Sequence, residues 1–179
     1  MDLELIKLHL KDARIKSRNS FEEYDALWSA FNVMYEGTRP ELITGNQRLR
    51  ITEHEMIRHC SKKLNYEEWS QLFEAGKLDS LFSIAPIFNE RDWQREAKIN
   101  NREFKCLLET TKRALTGRAD EDASSLEALV DLLYIVRCNR YHGFKTPDRP
   151  RDREVLDATV PLLRELVTQL ATHFGVILK

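Results

Sequence analysis

Three times in this chain a hydroxyl residue stands three positions before a glutamate at the head of a helix-periodic apolar run: Ser20 with Glu23, Thr52 with Glu55, and Ser124 with Glu127. In such a capping box each side chain accepts a hydrogen bond from the other residue's backbone N–H. Two of the four donors stranded at a helix start are thereby satisfied. A chain that repeats this signal is built from helices. After Ser20, the residues Leu27, Trp28, Phe31, Met34 and Tyr35 recur at spacings of three and four and share one face. Gly37 and Pro40 are expected to end that helix. The Thr52 helix is expected to run towards Lys63. The Ser124 helix carries Leu126, Leu129, Val130, Leu132, Leu133 and Val136 and is expected to stop at Gly143. Asp152 is expected to cap a last long helix to about His173, kinked at Pro161, which cannot donate to the carbonyl four residues back.

The rest of the chain is less regular. Residues 1–18 read as one more helix, 65–85 as short helical pieces broken near Gly76 and Pro86, and 90–116 as a helix with a break near Asn100 and Asn101. Residues 117–122 and 145–150 read as loops. Residues 81–88 are the one candidate for a short strand. The fold class expected is all-α: an antiparallel helical bundle with additional short helices, in a single domain over residues 1–179.

Composition removes several function classes. Net charge is −1 and the pI about 6.5, which argues against a protein that coats nucleic acid or membrane by charge alone. Cys60, Cys106 and Cys138 are odd in number, widely spaced and without a CxxC pair, which fits a reduced compartment. The sequence opens Met1-Asp2-Leu3-Glu4, unlike a signal peptide, and no stretch approaches the roughly 18 apolar residues of a membrane span. The expectation is a complete cytoplasmic protein with no membrane partner. His54, His59 and Cys60 lie close together, but the two histidines are five apart and no second ligand pair follows, so no metal or other cofactor is expected. There is neither a glycine-rich phosphate loop nor a serine elbow.

The chemistry concentrates in Leu133-Tyr134-Ile135-Val136-Arg137-Cys138-Asn139-Arg140-Tyr141-His142-Gly143. As a helix, this segment puts Arg137 within the apolar arc, with Glu127, Asp131, Cys138 and His142 on the opposite side. An arginine among leucines is costly unless its guanidinium is paired or reaches a cleft, and its fork of donors suits a phosphate. His142 falls in the last turn, where the helix dipole favours imidazolium and suits the ring for proton transfer. From Arg137 to Arg153 six Lys or Arg face two Asp, a local +4, whereas residues 120–131 hold five acids and no base. A polyanion would dock after the helix rather than before it.

Arg137 and His142, with four residues between them, resemble the R-x4-6-H motif of the HEPN superfamily. The likeness extends through Cys138, Asn139, Gly143 and Lys145 to the Arg151-Asp152 pair. The segment Leu27-Trp28-Ser29-Ala30-Phe31-Asn32-Val33-Met34-Tyr35 is similar to a helix of one HEPN branch. The resemblance implies a HEPN-type bundle and a metal-independent endoribonuclease, acting as a toxin or defence effector. It would cleave RNA through the 2′-hydroxyl to leave 2′,3′-cyclic phosphate and 5′-hydroxyl ends. Arg137 would hold the phosphate, His142 would move a proton and Asn139 would orient a group. Arg140 and Lys145 would touch RNA. The family often has a polar residue directly after the arginine; here that position is Cys138, with Asn139 one later.

One histidine cannot be acid and base in the same step. The resemblance therefore implies a homodimer with a composite active site, and a cognate antitoxin or regulator. Some members of the family are modified on a tyrosine two residues after the histidine. Phe144 stands there and has no hydroxyl. The alternative is a catalytically silent HEPN-fold dimer that binds RNA, a nucleotide or a protein. Trp28, Phe31 and Tyr35 are expected in the core, Asn32 in a structural bond to backbone or to the motif helix, and Arg151 and Asp152 at a helix start.

Overall fold

A computed structural model describes residues 1–43, 51–70, 72, 124–141 and 147–177. Every regular element among them is an α-helix: α1 Leu3–Ile15, α2 Ser20–Leu42, α3 Glu53–Ser61, α4 Tyr66–Ser70, α5 Ser124–Tyr141 and α6 Pro150–His173. None of the described helices is long and apolar enough to cross a membrane. The elements expected at residues 81–88, 90–116 and 117–122, most of 65–85, and the stop at Gly143 lie outside the described residues.

Helix α2 is the axis of the bundle; it packs against α1, α3 and α6, while α5 bears on α3 and α6. Its inward face is an aromatic ladder. Tyr24 stacks on Trp28 at 6.0 Å, Trp28 meets Phe31 edge-on at 5.4 Å, and Phe31 meets Tyr35 edge-on at 5.5 Å. Rings at spacings of three and four stand one above the next on a helix, and edge-on pairs add to their burial. All four are buried, and the Tyr24 hydroxyl donates to the Leu133 carbonyl of α5 at 3.0 Å. The core continues through Leu129, Leu133 and Val136 of α5 and Leu156, Leu163, Leu166 and Leu170 of α6.

Helix starts follow the sequence in one case and depart from it in two. The Thr52 box is formed: Thr52 Oγ1 accepts from Glu55 N at 3.2 Å and Thr52 N donates to Glu55 Oε2 at 2.7 Å. At the second helix the box expected at Ser20 is not made. Asn19 is the cap, accepting from Phe21 N at 3.1 Å. Glu23 is instead buried, and Arg164 of α6 donates to it through Nε at 2.7 Å. A carboxylate in the core needs a cation more than a spare backbone donor does. At the last helix Asp152 is not the cap. Arg149 occupies that position without a side-chain bond and Pro150 opens the helix. Proline suits a first turn, where its missing N–H costs nothing.

Two expected stops are also displaced. Helix α2 runs through Gly37 and Pro40 to Leu42. Pro40 forfeits one hydrogen bond only two residues from the end, so the helix outlasts it. An atom added at the Gly37 α-carbon would lie 2.8 Å from the Met1 side chain, so this glycine lets the two elements approach closely. Pro161 lies within α6, which continues as one helix on both sides of it.

Candidate functional site

The N-terminus of α3 lies against the last turns of α5 and the C-terminal half of α2. The capping box at Thr52 fixes where α3 begins, and so places Glu53 as its first helical residue. Arg137, three turns along α5, extends a guanidinium nitrogen to within 2.8 Å of Glu53 Oε1. The Tyr35 hydroxyl donates to the same Glu53 oxygen at 2.6 Å and accepts from Asn32 Nδ2 at 2.8 Å. The result is a continuous polar chain, Asn32–Tyr35–Glu53–Arg137, across three helices. Asn32 thus takes the structural role expected of it, through Tyr35 rather than directly on α5.

The guanidinium is also bracketed by rings. Its carbon lies 4.9 Å from the centre of Tyr141 and 6.0 Å from that of Tyr134. Burial works most strongly against its charge, but Glu53, Cys138 and Tyr35 together outweigh it and leave Arg137 above the ordinary arginine range. Burial, and then the Glu53 carboxylate, push the Tyr35 hydroxyl well up, so Tyr35 stays a proton donor to Glu53 at any ordinary pH. Arg137 Nε is buried and finds no acceptor.

Beside this chain lies a second cluster. His54 Nε2 is 2.7 Å from Asp131 Oδ1, and the His54 ring stacks on Tyr134 at 5.1 Å. Arg58 grips both oxygens of Asp131, with Nε on Oδ1 at 2.8 Å. Burial would raise the Asp131 carboxyl, but the His54 and Arg58 bonds hold it below the usual range. Lys62 meets Glu127 at 2.6 Å. The side of α5 opposite its leucines is therefore committed to α3. His59 turns elsewhere, to Glu41 at 3.2 Å, and Cys60 is buried with its thiol pushed up to about 12 by burial.

Of the site residues read from sequence, Arg137 is described and partly buried. Asn139 is buried, at 1% exposure. Arg140 turns to α2, where it meets Asp25 at 2.8 Å and lies over the Phe21 ring at 5.3 Å. Arg151 and Asp152 both fall in the first turn of α6. His142 and Lys145 lie outside the described residues.

No family model, curated protein or solved structure matches the chain. Glu53 is the partner of Arg137 that the sequence did not disclose. The one available signal was Arg137 itself, since an arginine on an apolar arc requires a carboxylate or phosphate partner.

Proposed function

We propose that the chain is a HEPN-type, metal-independent endoribonuclease whose site gathers around Arg137 and His142. The observation that carries this reading is the Asn32–Tyr35–Glu53–Arg137 chain. Asn32 and Tyr35 belong to one of the two segments that resemble the superfamily and Arg137 to the other. They are a hundred residues apart in sequence and are joined through a single carboxylate. RNA supplies its own nucleophile, the 2′-hydroxyl. The protein must hold the phosphate as it gains a fifth oxygen, remove one proton and donate another. Arg137, half-buried and charged, holds the phosphate. His142, five residues on, transfers a proton. The run of bases from Arg149 to Arg153 follows this segment in the sequence and adds positive charge for a polyanion. Two copies of the chain pair with these helix ends facing one cleft, and an antitoxin or regulator holds the activity in check.

A second reading, a silent module that binds RNA or a protein, draws on the same salt bridge, because Glu53 occupies part of the fork that a phosphate would use. Cleavage of end-labelled single-stranded RNA in EDTA separates the two. The ribonuclease cuts, leaves cyclic phosphate ends and loses the activity in His142→Ala and Arg137→Ala variants that stay folded. Cutting that survives both substitutions, or a folded wild type that leaves RNA intact, refutes it.

A further inference from the structure

Where α1, the start of α2 and α6 meet, the described residues line a cavity of about 230 Å³. One water takes up about 30 Å³, so the space exceeds what a single bridging water fills. It is smaller than the roughly 300–1,000 Å³ of sites for drug-sized molecules, which limits an occupant to one ring or a short chain with a single head group.

The lining combines two chemistries. Leu10, Ala13 and Leu27 are apolar and buried. Arg14 and Arg164 line the same cavity and reach solvent. Arg164 is held in place by Glu23, whose side chain is 3% exposed: Nε and Nη2 both reach Oε1, at 2.7 and 2.5 Å. The Nη1 nitrogen takes no part in that pair. Among the described residues, no acceptor meets the Arg14 guanidinium. A guanidinium keeps its charge at any pH a folded protein meets. Two of them against one carboxyl leave the lining positive whichever form that carboxyl takes.

We infer that this cavity is a binding site for a small organic carboxylate, with its apolar body against Leu10, Ala13 and Leu27 and its head group between Arg14 and Arg164. An inorganic anion would serve the arginines and leave the apolar lining wet. A cation would meet two like charges. A neutral molecule would lack the charged two-oxygen acceptor that an arginine fork matches. Glu23 already orients Arg164, so less side-chain order has to be supplied on binding. The inference stands apart from the ribonuclease reading, since no residue of the cavity belongs to the Asn32–Tyr35–Glu53–Arg137 chain.

Benzoate is the probe, titrated into the full chain labelled with nitrogen-15. It should shift the backbone amide signals of Leu10, Leu27 and Thr168 and saturate below about 10 mM. Benzamide has nearly the same shape without the charge and should bind about tenfold more weakly. Benzylamine and inorganic phosphate should leave those signals in place. Arg14→Gln, at an exposed position, should keep the wild-type melting temperature and weaken benzoate by about tenfold. Thr168→Phe, which fills the cavity with a ring, should abolish binding. Melting curves confirm that each variant is folded. Equal affinity for benzamide, or wild-type affinity for benzoate in Arg14→Gln, would overturn the carboxylate assignment. Phosphate or benzylamine binding as tightly as benzoate would do the same. Shifts that map away from α1 and α6, binding that survives in folded Thr168→Phe, or no saturation at all overturns the site.

Discussion

Replacing Tyr35 with phenylalanine removes one oxygen and leaves the ring that packs on Phe31. The hydroxyl is the middle link of the polar chain: it donates to Glu53 at 2.6 Å and accepts from Asn32 at 2.8 Å. A hydrogen bond to a charged group contributes about 1.5–3 kcal/mol when its surroundings are dry, and Tyr35 is buried. Glu53 retains Arg137 and some water, which places the expected cost near 2 kcal/mol. For a domain of this size that is a fall of about 4–8 °C in melting temperature. A double-mutant cycle with Glu53→Ala isolates the bond, and the two changes should couple by about 1–2 kcal/mol.

The same hydroxyl carries a pH signature. Its folded pKa is raised above the ordinary tyrosine value of 10.0, so its contribution is complete below about pH 10 and is lost as pH climbs towards the folded value. Wild type should lose stability above pH 10 more steeply than Tyr35→Phe, with Tyr24, Tyr134 and Tyr141, whose hydroxyls burial also raises, supplying the part that remains in both. Urea or thermal unfolding followed by circular dichroism between pH 7 and pH 11 reads both effects (roughly the span over which unfolded tyrosine titrates). A Tyr35→Phe protein within about 0.5 kcal/mol of wild type, additive with Glu53→Ala, would refute the idea that the hydroxyl holds the carboxylate.

Two further outcomes concern residues around the same helix. Asp131 has its carboxyl held low by His54 and Arg58, so its stabilisation is present above the ordinary carboxyl range and disappears as pH falls through the depressed folded value. Asp131→Asn should be less stable at neutral pH and lose less stability between about pH 5 and pH 2 in acid titration; curves parallel to wild type would contradict this. Arg140 is tied to Asp25 and Phe21 rather than free for RNA. Arg140→Ala should lower the melting temperature by a few degrees, in line with about 1 kcal/mol for a partly exposed pair, and leave the salt dependence of RNA binding unchanged. A salt slope reduced by about one would return Arg140 to the RNA surface.

How far the chain could be read in advance depended on whether a residue's partner was near it in sequence. The Thr52–Glu55 box formed as read because both members lie within one turn. The Ser20–Glu23 box has the same spelling and failed because Glu23 is claimed by Arg164, 141 residues away. Local pattern does not show that competitor. The aromatic face of α2 was legible because periodicity alone puts Trp28, Phe31 and Tyr35 on one side. Arg137 stood out through its awkward position among leucines, and that awkwardness announced a partner without naming it. Glu53 is one of 29 acids in the sequence. Only the packing of α3 against α5 selects it. Arg140 looked available for the same reason: Asp25 lies 115 residues away, on a helix whose orientation the sequence does not give.

The ladder of rings along α2 has a consequence for how such a site ages. Its last rung, Tyr35, belongs to the core by its ring and to the polar chain by its hydroxyl. A lineage that ceased to need the chemistry could discard Arg137 and Glu53 together, since losing both leaves neither charge unpaired. It could not discard the rings that lead there. The aromatic segment would persist after the activity had gone, as the outline of a site no longer in use.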